Sequence, residues 1–162
     1  IMPEKGVHLA VEAAKQAQEQ LVIAGNIDER DRLYFNESIH PFVDNKQIFY
    51  VGPADETMKI KLFQEARGVL FPTQWDEAFG LVTIEAMACG TPVIGWKRGA
   101  LPEVITEGVT GFVVESGEDM VKAMQRVDSI SPERCRTEAV ERFSRRAMAQ
   151  GYEQVYRRLL ED

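Results

Sequence analysis

Short apolar runs alternate with stretches of helical period along the whole chain. Leu21 to Gly25, Ile48 to Gly52, Gly68 to Phe71, Thr91 to Trp96 and Phe112 to Val114 are near-continuous apolar runs. A strand covered on both faces of a parallel sheet needs such a run. Between them the apolar positions repeat as on one side of a helix. Pro3 to about Gln18 reads as a helix, with a proline in its first turn and Val7, Leu9-Ala10-Val11, Ala13-Ala14 and Ala17 behind it. Asp28 to about His40 carries Leu33, Phe35 and Ile39, and Asp55 to Ala66 turns Met58, Leu62 and Phe63 inward behind Asp55 as a cap. From about Gly80, the residues Leu81, Ile84 and Met87-Ala88 keep the same period until Gly90 supplies the stop. A short helix near Leu101 to Thr106 and another from Glu118 to Val127 follow. Two more, Pro132 to Val140 and Arg145 to Leu160, have Ser131 and Ser144 as caps, with Phe143, Tyr152 and Tyr156 read as helix packing. Such alternation demands parallel pairing and right-handed crossovers. The expected fold is α/β, a Rossmann-like parallel sheet of five strands with helices on both faces.

The chain of 162 residues suffices for one well-cored domain and is too short for two. A net charge of −7 argues against a nucleic-acid surface, which should be basic. Cys89 and Cys135 fall in helical patterns without metal-ligand spacing, so both read as buried thiols suited to a cytosolic compartment. No apolar run approaches the roughly 20 residues of a membrane span. His8 and His40 have no Ser, Cys or Asp partner at a catalytic spacing. There is no Asp-x-Asp and no His, Cys and carboxylate cluster with metal spacing, so no metal is implied.

The chemistry concentrates in the segment from Phe71 to Ile94. A polar loop leaves the end of a strand and opens a helix, the place where α/β sheets hold anionic ligands. The N–H groups of Phe79, Gly80, Leu81 and Val82 should point outward, with the positive end of the helix dipole behind them. Gly80 leaves room for a phosphate to approach the backbone. Glu77 and Glu85 stand on either side of that anion site, eight residues apart, Glu77 in the loop and Glu85 in the second helical turn. Two acceptor-only carboxylates beside a phosphate site suit hydroxyl groups, a sugar on one side and a ribose on the other. Lys5, beside Gly6 at a helix start, can reach across to an anion. Gly25 and Gly52 close strands at the same sheet edge, either as turn glycines or as neighbours of a nucleoside. Asn26, Val51 and Pro53 are base neighbours by position alone. Lys97 and Arg98 follow a strand end, as a solvated pair or as added charge near phosphates.

Set within E-A-F-G-L-V-T-I-E-A-M-A-C-G-T-P-V-I, the Glu-x7-Glu spacing resembles the donor-binding signature of the retaining glycosyltransferases of family four, which have the GT-B fold. Pro3-Glu4-Lys5-Gly6, Leu21-Val22-Ile23-Ala24-Gly25, Phe49-Tyr50-Val51-Gly52, Leu101-Pro102-Glu103-Val104 and Gly108 to Val114 fall in the family's order, so the likeness covers nearly the whole chain. The resemblance implies the C-terminal half of a GT-B fold, with residues 1–162 as a nucleotide-sugar donor-binding domain. The opening at Ile1-Met2-Pro3, in mid-motif, reads as a fragment whose N-terminal acceptor domain is absent. By the same resemblance Glu77 holds the donor sugar's hydroxyls and Glu85 the ribose. Phe79, Gly80, Leu81 and Val82 give backbone donors to the diphosphate. Lys5 holds the diphosphate together with an arginine that would fall at or before residue 1, and Gly25, Val51 and Gly52 lie near the nucleoside. A further central strand precedes Pro3 in the family; only Ile1 and Met2 could belong to it, so the sheet is expected to be incomplete.

The function implied is retaining, metal-independent transfer of a sugar from a nucleotide-diphosphate sugar, UDP- or GDP-linked, with no other cofactor. The acceptor is a sugar, lipid or small molecule held by the missing domain, through which any peripheral membrane contact would also run. The location implied is cytoplasmic, and the fragment alone should bind nucleotide and transfer nothing. Two other readings stay open: a GT-B-fold sugar-nucleotide epimerase, and a non-catalytic nucleotide-binding or interaction module. The second gains if Glu77 is locked in a structural ion pair. A dinucleotide-binding oxidoreductase is disfavoured, since no Gly-x-Gly-x-x-Gly opens a helix.

Overall fold

Apolar runs that cannot face water pair into strands here, and the helices between them bring each strand back parallel to the last. In the computed structural model, which describes residues 1–161, the order is α1 (Val7–Ala17), β1 (Leu21–Ala24), α2 (Arg32–Ser38), β2 (Ile48–Gly52), α3 (Glu56–Glu65), β3 (Val69–Phe71), α4 (Leu81–Ala88), β4 (Val93–Trp96), α5 (Leu101–Val104), β5 (Gly111–Val114), α6 (Gly117–Arg126), α7 (Pro132–Phe143) and α8 (Arg145–Glu161). All pairing between named strands is parallel. The α/β class and the five strands agree with the sequence pattern.

The sheet is in two pieces. β1 pairs with β2, Leu21 opposite Ile48, while β3, β4 and β5 form a separate three-stranded sheet with Val69 opposite Val93 and Val93 opposite Gly111. Ile1 and Met2 adopt no strand. The first residues instead bridge the two pieces at the carboxyl ends of their strands. The amino group of Ile1 donates to the Asn26 carbonyl beyond β1, and the Gln74 amide beyond β3 donates to the Glu4 carbonyl at 2.7 Å. Each sheet has its own core. Met87, Val93, Ile94, Leu101 and Met120 centre the larger one, and Val11, Ile23, Phe35, Ile39 and Ile48 the smaller. α1 is the hinge between them, giving Ala13 to the first and Val11 and Ala14 to the second.

Two helices are broken relative to their expected spans for identifiable reasons. The first splits into a 3-10 turn, Pro3–Lys5, and α1, because Gly6 sits between them at φ +66° with no side chain to keep the Pro72 carbonyl away. The second is cut to α2, flanked by the 3-10 turns Glu29–Asp31 and His40–Phe42. Pro41 offers no N–H to continue the α-helical ladder, so the helix gives way to the 3-10 turn that holds the proline near its start. Asp55 and Ser131 cap α3 and α7 as expected, accepting from the amides of Met58 and Arg134, and Ser144 Oγ accepts from the Ala147 amide at 3.2 Å. Met58, Leu62 and Phe63 are half-buried rather than buried. α8 buries nothing: Met148, Tyr152, Val155, Tyr156 and Leu159 form an apolar stripe that stays exposed. The packing expected of Tyr152 and Tyr156 amounts to a stack on each other, 6.3 Å between ring centroids. Among the described residues no helix is long and apolar enough to cross a membrane.

Candidate functional site

The loop between β3 and α4 is held as a fixed frame. Pro72 and Thr73 are buried at its base. Glu4 O takes the Gln74 amide at 2.7 Å and the Thr73 hydroxyl at 3.3 Å, so the N-terminal turn braces one side. The loop after β4 braces the other: Arg98 Nη1 donates to Gln74 O at 2.9 Å and the Ala100 amide to Glu77 O at 2.8 Å. Gly99 lies so close that a Cβ there would stand 2.5 Å from the Glu77 amide nitrogen.

On this frame the chain turns at buried Gly80, φ +80°, into α4. The amides of Phe79, Gly80, Leu81 and Val82 have no acceptor among the described residues; the first helical bond there is from Thr83 N to Gly80 O, 2.9 Å. A helix start with unbonded N–H groups carries about half a positive charge. Beneath it Thr83 is fully buried with its hydroxyl oxygen unpartnered, 3.2 Å from where a Gly80 Cβ would be. The arrangement suits an anion brought against the backbone.

Lys5 comes to the lip of this loop because Gly6 packs on Pro72. Its Nζ is 3.0 Å from Glu77 Oε2 and 4.4 Å from the centroid of the Trp75 ring. The Trp75 Nε1 donates to the same Oε2 at 3.1 Å. Glu77 Oε1 has no side-chain donor among the described residues. The ammonium of Lys5 holds the Glu77 carboxyl below the usual carboxylate range, desolvation opposes it, and the Trp75 bond adds to the lowering. Glu77 is thus in an ion pair, but with another candidate residue.

Glu85 lies one helical turn further on and faces α3. Lys59 Nζ stands 3.1 Å from its Oε1 and 2.9 Å from Glu56, which together raise the lysine's pKa, Glu56 first. No hydrogen bond or ion pair joins Glu77 to Glu85 among the described residues. At the end of the smaller sheet the Gly25 amide donates to Gly52 O at 2.8 Å, and the Tyr50 hydroxyl to Gly25 O at 2.9 Å. Both polar groups of Gly25 are therefore used within the fold, while Val51 is exposed. Lys97 is paired with Glu115 at 2.7 Å. A hollow of about 410 Å³ adjoins Lys5, lined by Ile1, Met2, Asn26, Asp28 and Arg30. Another of about 450 Å³ lies at the opposite, amino end of β3 and β4; Cys89, read as buried, is half-buried on its wall, while Cys135 is buried. Burial pushes the Cys135 thiol up to about 12. Among the described residues no three His, Cys, Asp or Glu side chains gather as metal ligands.

The structure thus joins Lys5, Glu77 and the four amides in one place, and leaves Glu85 a turn away and Gly25, Val51 and Gly52 on the other sheet. Trp75 and Trp96 read from the sequence as half-buried near the loop; Trp96 is half-buried, whereas Trp75 is on the loop but exposed. Two neighbours escaped the sequence pattern, Gly99 and Lys59, and neither gave a local signal.

The family model described as glycosyl transferases group 1 matches residues 1–148. An N-acetyl-alpha-D-glucosaminyl L-malate synthase of Bacillus anthracis is 38% identical over 124 residues, 72% of this chain and 32% of that protein. A D-inositol 3-phosphate glycosyltransferase of Mycobacterium sp. (strain KMS) is 28% identical over 87% of this chain and 33% of its own. Among solved structures, a sucrose-phosphate synthase from Thermosynechococcus elongatus superposes at a TM-score of 0.80 with 27% identity, over 98% of this chain and 43% of that one. HepE of Anabaena, solved in complex with UDP and glucose, superposes at 0.80 with 21% identity, over 100% of this chain and 46% of its own. The chain spans about a third of the length of these curated relatives.

Proposed function

The chain belongs to the glycosyl transferases group 1 family and has a GT-B-type α/β fold, and we propose that it is the donor-binding part of a retaining enzyme that takes a sugar from a nucleotide-diphosphate sugar without a metal ion. The observation that carries this is the row of unbonded amides from Phe79 to Val82 with the Lys5–Glu77 pair at its lip. When the bond to the anomeric carbon breaks, negative charge grows on the departing diphosphate. Fixed N–H donors and the Lys5 ammonium meet that charge as it develops. Removing one such donor typically costs on the order of a hundredfold in rate. Glu77 offers Oε1 to a sugar hydroxyl. Glu85 keeps its Oε2 for a ribose hydroxyl while Lys59 holds Oε1. Retention rests on the family resemblance. The acceptor, a sugar, lipid or small molecule, sits across a cleft on a further domain, and a cytoplasmic location suits the sugar nucleotide. UDP is the first nucleotide to test, because HepE was solved with UDP and with UDP-glucose.

The test is titration calorimetry of the chain with UDP, GDP and ADP. Binding of UDP or GDP is expected; binding of none rejects the reading. One observation favours a non-catalytic nucleotide module instead, namely that Glu77 is ion-paired. Against it, the pair is with Lys5, is 18% and 37% exposed on its two sides, and leaves Oε1 without a side-chain donor among the described residues. The module reading requires UDP-glucose to bind no better than UDP; the transferase reading requires a preference that Glu77→Ala abolishes.

A further inference from the structure

We propose that Trp75 is the positioning residue of this site: it keeps Glu77 anchored when Lys5 turns from that carboxylate to the diphosphate of a bound donor. The inference rests on the donor-site reading and deepens it. Both side-chain donors to Glu77 reach one oxygen, Lys5 Nζ at 3.0 Å and Trp75 Nε1 at 3.1 Å from Oε2, so Oε1 has no side-chain donor among the described residues. A diphosphate offers a lysine more negative charge than a carboxylate does, and Lys5 is a flexible side chain already partly in water. A donor arriving at the amides of α4 therefore draws the ammonium from Oε2. Glu77 then keeps a single side-chain anchor, the indole N–H.

The same indole also marks where Lys5 starts. Its ring lies 4.4 Å from the ammonium, a distance at which a cation is attracted to the aromatic face. Trp75 belongs to neither core cluster and is 43% exposed. A large aromatic left in water on a braced loop, with its one polar atom bonded to a candidate sugar-binding acid, fits a role at the site better than a role in packing. The loop backbone is fixed through Gln74 and Glu77, so the indole hangs from a rigid mount.

The experiment compares the unaltered chain with Trp75→Phe and Trp75→Ala, using UDP against UDP-glucose, and GDP against GDP-mannose as a second pair. Trp75→Phe keeps a ring under Lys5 and loses the N–H bond to a charged acceptor. Its affinity for the sugar nucleotide should fall about tenfold, and more than its affinity for the bare diphosphate. Trp75→Ala should lose about a further threefold for the diphosphate itself, as the cation loses the nearer of its two rings, with Phe71 left at 5.8 Å. The indole emission of the unaltered chain should shift on saturation with the diphosphate and lose that shift in Trp75→Phe, where Trp96 is the one tryptophan left. Equal losses for the two members of a pair in Trp75→Phe, or a shift that persists in that variant, overturn the assignment. If the unaltered chain binds neither pair, the donor-site reading fails and this inference goes with it.

Discussion

Lys5 and Glu77 neutralise each other across the lip of the loop, yet the pair is too exposed to hold the fold. Ion pairs of this exposure contribute between about 0 and 1 kcal/mol. Lys5→Ala should therefore move the urea midpoint little, while weakening diphosphate binding roughly tenfold to a hundredfold, because a charged hydrogen bond to phosphate is worth about 1.5–3 kcal/mol. Calorimetry beside a denaturation curve separates the two; a large stability loss with unchanged binding would make Lys5 a structural residue. Gly99 should behave in the opposite way. Its backbone turns at φ +52° and backs directly onto Glu77, so a methyl group must push the loop aside. Gly99→Ala should lower stability by about 1–3 kcal/mol and reduce diphosphate binding together with it. Lys5 was legible because it stands beside a glycine at a helix start. Gly99 was not: what disqualifies a side chain there is the backbone of a residue 22 positions earlier, which no local pattern encodes.

Single elements show the same division. The bend before β2 is gathered by Asp44, whose Oδ1 accepts from the amides of Lys46, Gln47 and Ile48 at 2.9, 2.8 and 3.0 Å. Those bonds hold its carboxyl down at about 2, against an ordinary value of 3.8. A carboxylate depressed in the folded state lends stability that is fully present above pH 3.8 and is lost as pH falls through about 2. The stability gap between the chain and Asp44→Asn should therefore be constant from pH 5 to 7, and should close between about pH 4 and 2. A gap that stays open through that range would mean that Asp44's contribution does not depend on its ionisation. The caps at Asp55, Ser131 and Ser144 were readable from residue type, since an orphaned amide recruits a nearby oxygen. The burial of α8 was not. Periodicity reveals that a helix has an apolar side and is silent on what covers it; here Tyr152 and Tyr156 remain more than half exposed. Replacing both by Ser should change unfolding free energy by no more than about 0.5 kcal/mol.

Across the described residues the strands fall into two sheets, and the candidate site draws on both. A strand's own residues say that it is buried and not which strand lies beside it, so the gap between β1 and β3 could be anticipated only from the family order. Without ladder bonds across that gap, the β1–β2 piece is joined to the rest through α1, through Met124, which packs on both cores, through Arg67, which pairs with both Glu19 and Asp128, and through the contacts of residues 1–6. Its core is the smaller, so its amides should exchange through a partial opening that leaves β3, β4 and β5 closed. Native-state hydrogen exchange in rising denaturant should resolve two opening free energies, the lower one on β1 and β2. The candidate site straddles the divide. The amides of α4 and Glu77 belong to the larger piece, Val51 and Gly52 to the smaller, and Lys5 lies between. A nucleotide that touches both pieces binds only while they are docked. At a hundred times its Kd, UDP should then raise the β1–β2 opening free energy by about 2.7 kcal/mol. If UDP binds and that opening is unmoved, the nucleoside does not reach Val51 and Gly52, and the diphosphate is gripped by the larger piece and Lys5 alone.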